Sequence, residues 1–80
     1  MSLRFFGKDP NSDEDNCPSA WVDEETREIV VQGWKPGAAM MAEVLATGQV
    51  PESEAVVRLP ASMANLIREA CDAATGSAVL

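Results

Sequence analysis

The run Glu28-Ile29-Val30-Val31-Gln32-Gly33-Trp34 constrains this chain more than any other stretch. Three consecutive β-branched residues favour extended backbone, where their stiff side chains fit a pleated surface. Side chains alternate along a strand, so Ile29 and Val31 share one face while Val30 and Trp34 share the other. Apolar groups on both faces mark a strand expected at the centre of a sheet and covered on both sides.

The other elements arrange themselves around it. Residues 19–22, carrying Trp21, read as a partner strand. Asp23-Glu24-Glu25-Thr26-Arg27 is a polar connection of hairpin length, and its lack of glycine argues against a tight two-residue turn. Lys35-Pro36-Gly37 ends the sheet. Residues 38–47 are helix-prone, with Met40, Met41, Val44 and Leu45 on one side and Gly48 placed as a C-terminal cap. After a linker over 49–53, residues 54–59 read as a third strand, with Ala55, Val57 and Leu59 opposite Val56 and Arg58. Pro60 opens a last helix whose Met63, Leu66, Ile67, Ala70, Cys71 and Ala74 form one amphipathic stripe, ended by Gly76. Residues 1–7 are a short first strand or an arm that presses Phe5 and Phe6 onto the core. The expected class is α+β, a small antiparallel-type sheet with two helices in the order β-β-α-β-α. It forms one domain over 1–80: an arm and acidic loop over 1–17, a folded core over 18–76 and a frayed tail over 77–80.

A chain of 80 residues buries only roughly 60% of its unfolded surface, and such chains often lean on a partner. The two cysteines, Cys17 and Cys71, are too few for a disulfide scaffold. No signal-peptide core and no apolar run of membrane length occurs, so a cytoplasmic protein with reduced thiols is expected. A Cys17–Cys71 bridge stays open to the sequence. The net charge of −7 removes the basic footprint that direct duplex binding needs. A basic protein partner suits the acids better, with Asp13, Glu14, Asp15, Glu24 and Glu25 as candidate contacts; simple solubility explains the same charge.

The chemical inventory is thin. With no His and no Tyr, the chain lacks imidazole-assisted nucleophiles, imidazole metal ligands and the commonest general base. The paired carboxylates sit in polar runs with no apolar pocket to raise one pKa. Asp9, Asn11 and Asp13 have calcium-loop spacing, but Glu14 stands where glycine is required and Ala20 where the terminal Glu belongs. No phosphate-cradling or cofactor motif occurs, so no cofactor or metal is expected. Cys17, before Pro18, invites a redox reading, yet its acidic neighbours disfavour the thiolate.

The order Asn16-Cys17-Pro18, Ala20-Trp21-Val22-Asp23-Glu24-Glu25-Thr26, Gln32-Gly33-Trp34, Val56-Val57-Arg58-Leu59-Pro60 and Ile67-Arg68-Glu69-Ala70 covers nearly the whole chain. It resembles a set of small uncharacterised actinobacterial proteins that accompany helix-turn-helix regulators in Streptomyces-type genomes. In layout alone, the chain is also similar to the BldB-like small acidic developmental proteins. It lacks their Ser-rich lead-in and Arg-Asp-Ser segment, so no functional residue carries over. The resemblance implies a regulatory, protein-binding role with a DNA-binding regulator as partner.

Two expectations follow. The first is a non-enzymatic acidic interaction module; the alternative is a small redox or ligand-binding protein using Cys17 or the hairpin carboxylates. A homodimer is expected as well, with Trp34, Val30 and Val56 at its interface, because two short helices cannot cover both faces of an apolar sheet. In the competing arrangement, the N-terminal arm folds over the bare face.

Overall fold

Three paired extended segments precede the helices along the chain. In the computed structural model, which describes residues 1–12 and 17–76, these are β1 (Leu3–Lys8), β2 (Ser19–Asp23) and β3 (Glu28–Gln32). They make an antiparallel sheet in the order β1-β2-β3. Two helices follow, α1 (Ala38–Thr47) and α2 (Ala64–Thr75), the second entered through a 3₁₀ turn at Ala61–Met63. The class is α+β, in the order β-β-β-α-α.

Of the two readings of the N-terminus, the first strand holds: residues 3–8 pair with β2 as the third strand of the sheet and are not an arm laid over a face. The expected places of residues 54–59 and of the strand from Glu28 are corrected. Residues 54–59 contribute a single antiparallel bridge between Arg58 and Trp34. The central strand is β2, and the apolar run that begins at Glu28 lies at an edge, with Ile29 42% and Val30 37% exposed. Adjacent Phe5 and Phe6 point to opposite faces in extended backbone, which gives β1 an amphipathic character that suits a strand better than a one-sided arm.

The core lies between the sheet and α2. Val22, Ala70 and Ala74 are buried together, with Phe6 and Ala73 packed against them. The stripe expected on the last helix faces inward: Met63, Ala70 and Ala74 are buried, and Leu66, Ile67 and Cys71 are half-buried. Gly7 permits this close approach. It sits at a β-bulge with φ +143°, and a Cβ there would lie 3.0 Å from a Leu66 methyl. At the far end, α2 closes on Gly76 in the left-handed conformation, and the Arg27 guanidinium donates to the Ala74 carbonyl at 3.3 Å. A cation there also opposes the negative end of the helix dipole.

Helix α1 forms over its expected range but does not cover the sheet. It buries none of its residues and packs closely on no other element. Met41 and Val44 are half-buried, whereas Met40 and Leu45 are 45% and 55% exposed. Gly48 stands at the C-cap, as expected, with fully extended backbone.

Candidate functional site

Strand alternation sorts the sheet's side chains into two faces. Gly7, Ala20 and Val31 share a register row on the face toward α2, as do Arg4, Val22 and Ile29. The opposite face carries Leu3, Phe5, Trp21, Asp23, Glu28 and Val30. Among the described residues, α2 packs on the face other than this outer one, and α1 packs closely on no strand. Leu3 and Phe5 are 48% and 51% exposed, and the Phe5 and Trp21 rings meet at 5.6 Å. Phe5, Trp21 and Val30 stand in one row across all three strands.

The acids of the hairpin lie to one side of that row, toward the β2–β3 turn. Residues 24–27 form the β2–β3 turn, with Arg27 at φ 65°. Glu24 and Glu25 are exposed there, and Glu25 meets the Met1 ammonium at 2.8 Å. The Asp23 carboxylate organises the turn by accepting from the Glu25 amide at 3.0 Å. Loss of hydration raises the Asp23 pKa, but the amides of Glu25, Ser2 and Thr26 and the Met1 ammonium outweigh that and hold it below the ordinary 3.8.

The remaining expected site residues divide. Asp13, Glu14 and Asp15 lie outside the described residues. Val30 joins the outer row. Trp34 is half-buried, with the Arg58 guanidinium 5.2 Å from its ring centre, and Val56 is half-buried in the irregular segment before that bridge. Cys17 and Cys71 are not joined in a disulfide. Cys17 precedes β2, whereas Glu24 and Glu25 follow it. The length of a five-residue strand, roughly 17 Å, separates thiol from carboxylates, so they do not form one site.

Asp9 has a different role from a calcium ligand. It is buried, accepts from the Ser62 hydroxyl and the Asn11 amide, and pins the loop after β1 to the entry of α2. Among the described residues, no group of three or more Cys, Asp or Glu is placed to hold a metal ion, and no helix is long and apolar enough to cross a membrane.

Two shallow cavities flank the sheet. One, about 220 Å³, is lined by Arg4, Val22, Glu24, Arg27 and Ala73; the other, about 450 Å³, by Arg4, Phe5, Phe6, Glu69, Asp72 and Ala73. Their cations are already engaged: Arg27 caps α2, and Arg4 stacks 4.8 Å over Phe6. Sequence reasoning missed Leu3 and Phe5 as surface residues, although the adjacent phenylalanines carried the signal. Comparison with family models, curated proteins and solved structures finds no match for the chain.

Proposed function

We propose that this chain is a non-enzymatic interaction module that binds a basic protein surface through the outer face of its sheet. One observation carries the reading. Exposed Phe5 and Val30 flank half-buried Trp21 in one row, with Asp23 and Glu28 on the same face and Glu24 and Glu25 on the adjoining turn. Aromatic anchors rimmed by like charges are what a protein interface uses: the rings supply desolvated contact, and the rim supplies orientation and rate. The acidic rim selects a partner rich in Lys and Arg. The resemblance to proteins that accompany regulators supports a helix-turn-helix regulator as that partner, in the cytoplasm.

Anisotropy titration of the labelled chain with the purified neighbouring regulator tests this. Binding is expected to weaken between about 50 and 200 mM salt, as screening of surface charges requires. Phe5→Glu is expected to abolish binding, and a Glu24→Lys, Glu25→Lys double variant to weaken it and flatten the salt response. Absence of binding at low salt, or binding indifferent to both variants, refutes the proposal.

A further inference from the structure

We infer that two copies of this chain pair antiparallel through the free edges of β3, about a two-fold axis at Val30, joining two three-stranded sheets into one.

The two sheet edges differ. The β1 edge is broken by the bulge between Phe5 and Gly7 and carries Arg4 and Lys8, devices that keep an edge from pairing. The β3 edge has no bulge and no basic residue, and its one charge, Glu28, lies at the end of the strand. Glu28–Gln32 contains no Pro, Gly or Lys, and its register with β2 is regular at every position.

The backbone polarity follows from one bond. The Glu24 amide donates to the Ser2 carbonyl at 2.9 Å, so Arg4 and Val22, two residues further along each strand, form the next hydrogen-bonded pair of β1 and β2. Trp21 and Asp23 therefore bond toward β3, against Val30 and Glu28. It follows that Ile29 and Val31 direct their N–H and C=O groups away from the sheet. Among the described residues, no backbone hydrogen bond outside the β2–β3 ladder uses them.

This edge is self-complementary. Pairing about Val30 sets Ile29 opposite Val31 of the second copy, so each such pair exchanges both of its N–H···O bonds. Val30 meets Val30 of the second copy in the closer, non-bonded position. Glu28 falls opposite Gln32 of the second copy, placing a carboxylate that accepts from the Thr26 hydroxyl against an amide that donates to the Cys17 carbonyl and has a second N–H to offer. The alternatives fail on the same residues. Centring on Ile29 sets Val31 against Arg27, whose φ of 65° takes it out of the strand. Centring on Val31 sets Glu28 against Trp34. Only the Val30 register pairs all five residues of the strand with one another, and it continues the outer row from Phe5, Trp21 and Val30 directly into the same residues of the second copy.

The proposal does not rest on the regulator reading, and salt separates the two. A chain of net charge −7 repels its own copy, so screening strengthens the dimer while weakening capture of a basic partner. Sedimentation equilibrium at about 100 μM, far above typical dissociation constants of stable dimers, is expected to give a dimeric mass. Ile29→Pro removes an outward N–H while leaving the ladder to β2 intact, and is expected to give a folded monomer by circular dichroism. Gln32→Glu sets like charges opposite each other at both symmetric positions and is expected to raise Kd about 2- to 30-fold; Gln32→Lys is expected to lower it by a similar factor. A monomeric wild type overturns the inference, whether or not a foreign strand later occupies the edge. So does a dimer indifferent to the Gln32 variants, or one retained by folded Ile29→Pro and lost with Phe5→Glu, the mark of face-to-face packing.

Discussion

Gly33→Ala tests how the irregular segment 54–59 is held to the sheet. A Cβ at Gly33 would lie 2.7 Å from the Arg58 carbonyl oxygen, 3.0 Å from a Leu59 methyl and 3.1 Å from the Val57 Cβ. The nearest atom is backbone, so the clash cannot be relieved by a rotamer; the segment must move away. That movement strains the bridge in which Trp34 and Arg58 exchange hydrogen bonds of 3.0 and 2.9 Å, and the stacking of Arg58 on Trp34. Each hydrogen bond contributes about 1 kcal/mol net and an exposed cation–π contact about 0.5–1 kcal/mol, against which alanine recovers about 0.4–1 kcal/mol by restricting the unfolded chain. The expected destabilisation is about 2 kcal/mol, or a fall in Tm of roughly 8–16 °C for a domain of this size. Urea and thermal unfolding followed by tryptophan fluorescence measure it. Gly48→Ala is the control: Gly48 is extended with nothing within 4 Å of the new Cβ, and the change is expected to be neutral or stabilising by up to about 1 kcal/mol. If both variants unfold within about 0.5 kcal/mol of the wild type, the inferred closure of the chain over Gly33 is wrong.

Three further outcomes are expected. Asp9→Ala leaves the Ser62 hydroxyl and Asn11 amide without their charged acceptor and should cost about 1.5–3 kcal/mol in urea unfolding, with Asp9→Asn costing less. Met63 is 1% exposed, so Met63→Ala should cost about 2–5 kcal/mol, whereas Leu45→Ala on undocked α1 should leave the melting curve of the monomer nearly unchanged. Because the folded pKa of Asp23 is depressed, its stabilising contribution is fully present above the ordinary 3.8 and is lost as pH falls through the lower folded value. A pH series of melts should show that loss in the wild type and a flatter acid limb in Asp23→Asn.

Much of the fold was legible because local and long-range preferences agree. The β2–β3 hairpin follows from two apolar runs and a polar connection, and α2 from a stripe that persists over three turns and meets Val22 and Phe6. Residues 54–59 show where this reasoning stops. Their alternation is that of a strand, but β1 already occupies the free side of β2, and only Arg58 finds a partner. A segment's pattern states which face it can bury. The sheet position it receives depends on the rest of the chain: here the N-terminus takes the place beside β2, and residues 54–59 touch the sheet only through the bridge beyond the end of β3. The outer row was illegible for the same reason: Phe5 joins Trp21 and Val30 only once β1 has taken its place.

The two segments that the structure leaves least covered, β3 and α1, are also those whose apolar content most strongly suggested a buried position. In Ala38–Thr47 only Glu43 is charged, yet the helix buries none of its residues. In Glu28–Gln32 the apolar residues are consecutive, yet the strand lies at an edge. Expecting β3 to be central confused two properties. Apolar groups on both faces say that both faces are to be covered, and they are silent on whether the neighbouring strand comes from the same chain. The proposed pairing with a second copy at β3 would place that strand inside a wider sheet, next to the backbone of Ile29 and Val31, and would leave its outer face for a partner.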